Sequence, residues 1–302
     1  MISLLWILLL PLFMPGLISR VKAIMVGRKG QSLLQPYYHF LKLLRKDEVI
    51  SSSASFITRL APSIALSATL CAALFVPVGR SSSLLSFQGD FILVLYLLAL
   101  AKGIMVLAAM DSGSSFEGMG ASREISFTAF LEPAFMLIMA GLIFTSGFTS
   151  LNSLLDSYII NNHEVWSLVV GAFTIFALFI MLLVESARVP FDDPNTHLEL
   201  TMIHEVMILD YSGFSLGLIH YTAALKMLIY ASLIAQIMIP QNAQWHMGWY
   251  LLCVLGLGLV TGIVESMMAR FRMNRNLELV LVPLSISVLA IAALIARSLG
   301  GW

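Results

Sequence analysis

Charged residues are scarce in this sequence, and that scarcity limits what kind of protein it can be. Lys, Arg, Asp and Glu make up 11% of the 302 residues, whereas a soluble domain usually carries about 25%. Hydrophobic residues make up 59%, and the mean hydropathy is +0.92. The 17 basic and 17 acidic residues balance, so the chain has no net positive charge with which to attract a nucleic acid. The composition predicts a polytopic protein of the lipid bilayer.

Cysteine is equally rare, since the chain has only Cys71 and Cys253, in separate apolar stretches. An iron–sulfur cluster is usually held by about four thiolates, so we expect no cofactor and no metal site in this chain, and any redox metal in a partner. His204-Glu205 lacks the second histidine of a zinc-protease motif, because position 208 is Ile. The sequence also lacks a P-loop and a G-x-S-x-G elbow.

Long apolar stretches, by contrast, are plentiful. Eight of them reach about 20 residues, the length that crosses a bilayer as a helix. They are 1–19, 60–79, 90–110, 127–148, 165–185, 216–239, 247–268 and 278–297. We therefore predict an all-α fold, a single integral membrane domain over residues 1–302 with eight transmembrane helices. The apolar N-terminus has no small-residue cleavage site and is expected to remain as the first span.

The charges lie mostly on one side of these spans. The connections after spans one, three, five and seven hold most of the Lys and Arg residues, while those after the even spans hold only Arg80. Because basic residues mark the cytoplasmic side, we predict that both termini lie outside the inner (cytoplasmic) membrane. Most acidic residues follow the same inner face, which a bias of basic residues alone would not produce. The inner face is therefore expected to contact a partner.

The first inner connection, about 20–59, is the longest. Its apolar residues from Leu33 to Leu44 recur at helical spacing with Lys42, Arg45 and Lys46 between them, which predicts an amphipathic helix at the membrane interface. Two interpretations stay open. The helix is either a lipid-surface anchor or a lateral helix that closes a cavity or docks a peripheral subunit.

The fifth connection, about 185–215, combines acids with prolines. Pro190 and Pro194 exclude a regular helix between them, so this segment is predicted to be a loop enclosed by protein. Thr196-x-x-Glu199 has the spacing of a helix-capping box. His197, Thr201 and His204 would then share one helical face, with Glu205 beside them.

Three charged residues are predicted within the bilayer itself. Glu132 would lie about five residues into span four, and Lys102 and Lys226 near the middles of spans three and six. Charge at that depth is costly unless it is paired or functional. One interpretation is structural ion pairing, such as Lys226 with a carboxylate, and the other is a chain of groups that conducts protons or senses an electric field. Nearby Ser114-x-x-Glu117 again fits a capping box.

Four separated blocks of sequence carry a resemblance to a known family. They are Arg28-Lys29-Gly30 with Leu41-Lys42-Leu43-Leu44; Asp111-Ser-Gly-Ser-Ser-Phe116 with Gly120-Ala-Ser-Arg123-Glu124 and Glu132; Glu185-x-x-Arg188-x-Pro190-Phe191-Asp192 with Glu199; and Glu265-Ser-Met-Met-Ala-Arg270-Phe-Arg272. In these blocks the chain resembles the membrane subunit of formate hydrogenlyase and of energy-converting (group 4) nickel–iron hydrogenases. That subunit is itself similar to the quinone-chamber membrane subunit of respiratory complex I.

The resemblance implies a coupling subunit without a redox centre of its own. It implies partners of four kinds: hydrogenase large and small subunits, an iron–sulfur subunit, and antiporter-like membrane subunits. The nickel–iron centre and the iron–sulfur clusters would belong to those partners, and electron transfer there would be linked to ion translocation here. Some positions depart from the family pattern, namely Gln31, His39, Asn195 and His197, and the segment from Asp210 to Gly213 comes about three residues late.

Two sets of residues follow as candidates for this function. The proton-coupling residues of the inner chamber are expected to be Lys102, Arg123, Glu124, Glu132, Glu185, Arg188, Asp192, Asp193, Glu199, Glu205, Asp210, Lys226 and Glu265. The partner-docking residues are expected to be Arg28, Lys29, Lys42, Asp111, Arg270 and Arg272. Two alternatives remain: a quinone-chamber subunit of a complex I-like NADH:quinone oxidoreductase, which would bind a quinone, and a standalone secondary transporter.

Overall fold

The computed structural model describes residues 2–51, 53–79, 83–160, 165–193, 202–239 and 245–300. Every regular element within these ranges is a helix. They are α1 (Ile2–Met25), α2 (Gln35–Leu44), α3 (Phe56–Phe75), α4 (Asp90–Asp111), α5 (Ser115–Ser146), α6 (Leu151–Ile160), α7 (Val165–Glu185), a short 3-10 helix (Glu205–Ile208), α8 (Gly213–Met238), α9 (His246–Met267) and α10 (Met273–Gly300). The all-α prediction is confirmed.

Eight helices in the described ranges, all except α2, α6 and the 3-10 helix, are long and apolar enough to cross a bilayer. The chain is therefore a multi-pass membrane protein, and each predicted span corresponds to one of these helices. The short helix α6 was not predicted. It follows α5 directly, and its first amide, that of Leu151, donates to a carboxylate oxygen of Asp90 at 2.7 Å.

Several helices begin earlier than the apolar pattern predicted, and α3 and α5 show two reasons for it. Helix α3 begins at Phe56, because the Ser55 hydroxyl accepts a hydrogen bond from the Ile57 amide at 3.2 Å and caps the first turn. Helix α5 begins at Ser115 instead of residue 127, and its 32 residues extend about 48 Å at 1.5 Å per residue. Glu132 consequently lies well inside α5, and its predicted position five residues from the start was wrong.

The connections gather on two opposite faces of the bundle. On one face the Val49 amide donates to the Ser212 hydroxyl at 2.8 Å, and the Phe271 amide donates to the Pro190 carbonyl at 3.0 Å. These contacts join the first, fifth and seventh connections, and we call this surface the long-loop face. The contact of α6 with Asp90 lies on the opposite face. This alternation agrees with eight crossings of the membrane.

Helix α8 is the centre of the bundle. Within its most apolar stretch 89% of the residues are buried, against 28–56% in the other spans. It packs against α1, α2, α3, α7 and α9. Polar groups carried by α8 are therefore enclosed by protein and are sheltered from lipid.

The first connection turns back along α1. Leu33 lies directly against Gly16, because a β-carbon at Gly16 would overlap the Leu33 carbonyl group. The hydroxyl of Tyr37 donates to the carbonyl of Leu9, deep within α1. Burial raises the pKa of Tyr37, so the phenol stays protonated as a donor.

Helix α2 then packs lengthwise against the first turns of α8. The rings of Phe40 and Tyr221 lie 5.3 Å apart, and one turn further along α2 the buried Leu43 contacts Gly217. The contact moves forward along α2, from Phe40 to Leu43, and backward along α8, from Tyr221 to Gly217. The two helices are therefore close to antiparallel. The predicted amphipathic helix is thus present as α2, and it follows α8 toward the long-loop face.

Helix α7 ends at Glu185 in a tight cap. The Arg188 amide donates to the Leu183 carbonyl at 2.8 Å and the Ala187 amide to the Val184 carbonyl at 3.1 Å, the pattern of a Schellman motif. Ala187 takes the left-handed position, with φ of 49°, where glycine is usual. The described part of the following loop, 186–193, contains no regular helix, as the prolines predicted.

Candidate functional site

A cluster of charged side chains lies inside the bundle, where α4, α5 and α7 meet. The Lys102 ammonium group lies 2.8 Å from a Glu185 oxygen and 3.2 Å from a Glu124 oxygen. It also donates to the Thr128 hydroxyl at 3.1 Å. The three charged side chains are each at least nine-tenths buried. A buried cation is thereby compensated by two carboxylates.

Lys226 completes this group from α8. Together with Lys102, Glu124 and Glu185 it lines a cavity of about 30 Å³, which is large enough for a water molecule or two. We call these four residues the charge cluster. When all four are ionised the cluster is electrically neutral. The sequence left open an ion pair of Lys226 with a carboxylate as one interpretation. Among the described residues, Glu124 and Glu185 form their ion pairs with Lys102, and Lys226 lines the same cavity.

Glu132 lies next to the charge cluster. It lines a second small cavity, of about 10 Å³, together with Lys102, Glu185, Thr128 and Tyr230. The two small cavities thus share Lys102 and Glu185 in their walls. Glu132 is half-buried, whereas Tyr230 is fully buried against Phe135.

A much larger cavity lies between α1, α2, α8 and the loop after α7. It has a volume of about 370 Å³ and mostly apolar walls. Its polar lining comes from Ser19, Gln31, Gln35, His39, Ser186, Arg188, His204, Glu205 and His220. His204 and Ala223 line both this cavity and the one at the charge cluster. The three cavities therefore form a series that leads from the large cavity to Glu132.

Asp192 holds the fifth connection together beside this series. The side chain is fully buried, and one of its oxygens accepts hydrogen bonds from the amides of Ile203 and His204 at 3.0 and 3.1 Å. The other oxygen accepts from the Asp193 amide at 2.9 Å and pairs with Arg270 at 2.8 Å. Asp192 thereby ties the two described ends of the loop to the seventh connection.

A second ion-paired group lies between the ends of α1 and α9. The buried carboxylate of Glu265 contacts Lys22 at 2.9 Å and Arg188 at 3.4 Å. Because Arg188 also lines the large cavity, this group forms part of the cavity wall. On the other side of the loop, Arg123 donates to the Met202 carbonyl at 2.8 Å.

The remaining inner-chamber candidates are placed less centrally. Glu205 lines the large cavity, whereas Asp210 is exposed and its amide donates to Glu117 at 2.9 Å. The Ser114 side chain accepts no hydrogen bond from an amide at the start of α5, so the predicted capping box does not form. Glu117 instead accepts the hydrogen bond from the Asp210 amide. Glu199 lies outside the described residues, as do Thr196, His197 and Thr201.

Most of the docking candidates lie on the surface. Arg28, Lys29, Lys42 and Arg272 are exposed, and Arg270 is half-buried in its pair with Asp192. Asp111 is half-buried and accepts from the Ser55 amide and hydroxyl, both at 2.8 Å, and from the Thr58 hydroxyl at 2.7 Å. Asp111 therefore has a structural role at the start of α3. Its role in docking stays a prediction.

Tyr211 illustrates how closely the loops are joined at this face. Its hydroxyl donates to the Thr58 carbonyl at 3.0 Å. Burial raises the pKa of Tyr211, and the nearby Glu117 carboxylate acts in the same direction. The phenol therefore remains a donor, and the fifth connection stays bound to α3.

Sequence reasoning missed several residues of this site. Thr128 and Tyr230 carry no sequence signal, because an isolated hydroxyl on an apolar helix is common. His204 was noticed only as part of a helical face, and its place between two cavities depends on a fold of the loop that no local pattern indicates. Within the described ranges, no group of three or more His, Cys, Asp or Glu side chains is placed to hold a metal ion.

Comparisons with known proteins agree with this architecture. A family described as NADH dehydrogenase matches residues 1–295. Hydrogenase-4 component C of Escherichia coli (strain K12) is 29% identical over 276 residues, which cover 88% of this chain and 85% of that protein. Formate hydrogenlyase subunit 4 of the same strain is 26% identical over 291 residues, or 93% of each chain.

Two further relatives extend the comparison. NADH-ubiquinone oxidoreductase chain 1 of Chondrus crispus is 29% identical over 225 residues, which cover 71% of this chain and 66% of that protein. A chain from the structure of the membrane-bound sulfane sulfur reductase, an archaeal respiratory membrane complex, superposes with a TM-score of 0.80 over 97% of both chains. The sequence identity to that chain is 20%, so the likeness concerns the fold.

Proposed function

The chain belongs to the NADH dehydrogenase family, and from that premise we propose that it is the membrane-anchoring and proton-coupling subunit of a membrane-bound nickel–iron hydrogenase complex. Relatives named as components of hydrogenase-4 and formate hydrogenlyase match 85% and 93% of their own lengths. The observation that carries the proposal is the series of three cavities, from the large cavity through the charge cluster to Glu132.

The physical reason lies in the energetics of buried charge. Neutralising one member of a buried, balanced group leaves its partner uncompensated, so a change of protonation at one end alters the next group. A charge change in a docked partner would first alter the large cavity, then the charge cluster, and finally Glu132. Proton movement is thereby linked to electron transfer that takes place in other subunits.

The partners follow from the same proposal. Large and small hydrogenase subunits and an iron–sulfur subunit would dock on the long-loop face, which would face the cytoplasm, with both termini of this chain on the other side of the inner membrane. Those subunits would carry the nickel–iron centre and the clusters. Antiporter-like membrane subunits would lie beside the chain and receive protons from Glu132.

The test is the variant Glu132→Gln in the assembled complex. We expect complex assembly and hydrogen production with a reduced viologen to persist, while proton uptake by inverted membrane vesicles falls at least about tenfold, because the amide cannot carry a proton. Proton uptake would be followed with a pH-sensitive dye.

Glu278→Gln serves as the matched control, since Glu278 is exposed on α10, away from the three cavities. It should leave proton uptake unchanged. Normal proton uptake in Glu132→Gln would exclude Glu132 from the route. A wild-type complex that produces hydrogen without moving protons would refute the proposed function.

A quinone-binding role is the second candidate, and the large cavity favours it. Its 370 Å³ and mostly apolar walls with a few polar groups are typical of a small-molecule site. A relative named as an NADH-ubiquinone oxidoreductase chain matches 71% of this chain. Reduction of a soluble quinone by the purified complex, together with a co-purified long-tailed quinone, would favour this role over the hydrogenase.

A further inference from the structure

His204 lies between two cavities in the described part of the chain. It precedes the 3-10 helix, and its amide is held by the Asp192 carboxylate at 3.1 Å. Of the two residues that line both the large cavity and the charge-cluster cavity, His204 and Ala223, only His204 has a side chain that can take up or release a proton.

The surroundings of His204 supply proton donors and acceptors on both sides. It shares the wall of the large cavity with His39 of α2, His220 of α8, and Arg188 and Glu205 of its own connection. It shares the wall of the small cavity with Lys102 of α4, Glu124 of α5, Glu185 of α7 and Lys226 of α8. An imidazole has two separate ring nitrogens, and each of them can carry a proton. It can therefore accept a proton from one cavity and release one into the other.

We infer that His204 carries protons between the large cavity and the charge cluster. This inference rests on the proposed function and names the group that performs one of its steps. One ring nitrogen of His204 takes the excess proton of a hydronium ion in the large cavity, which gives an imidazolium and leaves a neutral water molecule. The other nitrogen then gives its proton to Glu124, directly or through water in the small cavity. The imidazole is neutral again, and its tautomer is restored by rotation of the ring.

The transfer changes the charge balance of the cluster. Once Glu124 is protonated, it no longer neutralises Lys102, and Glu185 alone remains paired with that ammonium group. The cluster then carries one net positive charge while enclosed by protein, which is costly. This cost favours release of a proton toward Glu132, which shares the walls of the next cavity with Lys102 and Glu185.

Asp192 acts as a positioning residue for this step. Its carboxylate holds the His204 backbone with one oxygen and Arg270 with the other. Arg270 follows α9 near the long-loop face, where the peripheral subunits are proposed to dock. A partner that competes for Arg270 would therefore loosen the backbone that carries His204.

The test is His204→Ala in the assembled complex, in inverted membrane vesicles. The substitution leaves an imidazole-sized space that is continuous with the large cavity. We expect proton uptake per hydrogen produced to fall at least about tenfold, in line with the contribution of a positioned proton-transfer group. Added imidazole should restore much of that uptake, because the free base can enter the vacated space.

His246→Ala is the matched control, since His246 begins α9 at the opposite face. The complex with His246→Ala should take up protons at the wild-type rate, and added imidazole should not change that rate. Normal proton uptake in His204→Ala, or a loss that imidazole does not restore, would overturn the inference. Absence of proton uptake in the wild-type complex would instead refute the proposed function.

A second variant covers a failure of His204→Ala to assemble. His204→Gln keeps the size and hydrogen bonding of the side chain but does not titrate, so we expect an assembled complex that produces hydrogen and moves few protons. Imidazole should not restore His204→Gln, because the glutamine fills the space. Normal proton uptake in this variant, or failure of both variants to assemble, would overturn the inference.

Discussion

At the scale of single residues, Lys102 is the group on which the buried charges depend. Its ammonium group contacts both Glu124 and Glu185, so it compensates two carboxylates at once. Without it, two like charges would face each other across a cavity of about 30 Å³. Coulomb repulsion between enclosed like charges is large, so the cluster would lose stability.

Replacement of Lys102 by Met should therefore destabilise the protein by about 3 kcal/mol, the usual cost of removing one partner from a buried ion pair. The measurement is the free energy of unfolding in detergent. The double variant Lys102→Met/Glu185→Gln should regain much of this loss, because Glu124 and Lys226 then balance each other. An equal loss of unfolding free energy in the single and double variants would contradict the charge balance proposed for the four residues of the cluster.

The sequence placed Lys102 and Lys226 deep within their spans, but it did not predict that Glu124 and Glu185 lie beside them. Lys102 was placed in the middle of span three, and this depth agrees with the structure. Its contact with Glu185 depends on how α7 packs beside α4, which a one-dimensional pattern does not contain. Asp192 was expected among the proton-coupling residues, and the structure adds a structural role, because its buried carboxylate accepts from two backbone amides. Its use as a loop anchor depends on residues 11 and 12 positions away.

At the scale of elements, the first connection depends on two glycines that allow close approach. Gly16 admits the Leu33 backbone to the surface of α1, and Gly217 admits Leu43 to the surface of α8. These contacts fix α2 as one wall of the large cavity. The element therefore closes a cavity, which was one of the two roles that the sequence left open.

Gly16→Ala should displace this connection from α1, because the new methyl group would overlap the Leu33 carbonyl. We expect a loss of about 1–3 kcal/mol in the free energy of unfolding, as in other overpacked sites. The matched control is Gly256→Ala in α9, where nothing lies within 4 Å of the added carbon. Unfolding in detergent measures both. Comparable stability of the two variants would mean that the connection does not lie against α1.

The helices themselves were largely predictable, and the misplaced start of span four has a physical cause. The stretch from Glu117 to Ser126 is polar, so span four was predicted to begin only at residue 127. In the folded chain Glu117 accepts from the Asp210 amide, Glu124 pairs with Lys102, and Arg123 donates to the Met202 carbonyl. Each of these three groups thus has a partner from another part of the chain, and these tertiary contacts allow α5 to begin twelve residues earlier.

At the scale of the whole molecule, the two faces of the bundle differ in kind. The long-loop face carries exposed basic residues and the joined first, fifth and seventh connections, whereas the opposite face carries α6 and the connections beside it. A partner that docks on the long-loop face should therefore shield cysteines introduced there and nowhere else.

Cysteine labelling tests this asymmetry. In a background without Cys71 and Cys253, Arg272→Cys should react with a membrane-impermeant maleimide in inverted vesicles stripped of peripheral subunits, and at least about tenfold more slowly in the intact complex. Phe148→Cys, at the opposite face, should react only in right-side-out vesicles. Labelling of both cysteines from one side would contradict the crossing pattern, and equal labelling of Arg272→Cys with and without peripheral subunits would contradict docking there.

The loop after α7 also has a consequence for the order in which the protein is made. Three of its stabilising partners come from the C-terminal hairpin: Glu265 in α9 for Arg188, Arg270 in the connection after α9 for Asp192, and Asn276 in α10 for the Phe191 carbonyl. During translation this loop leaves the ribosome before any of them. Until the C-terminal hairpin is made, Arg188, Asp192 and the Phe191 carbonyl of a new chain therefore lack these contacts, and the loop after α7 reaches its final packing only late in synthesis.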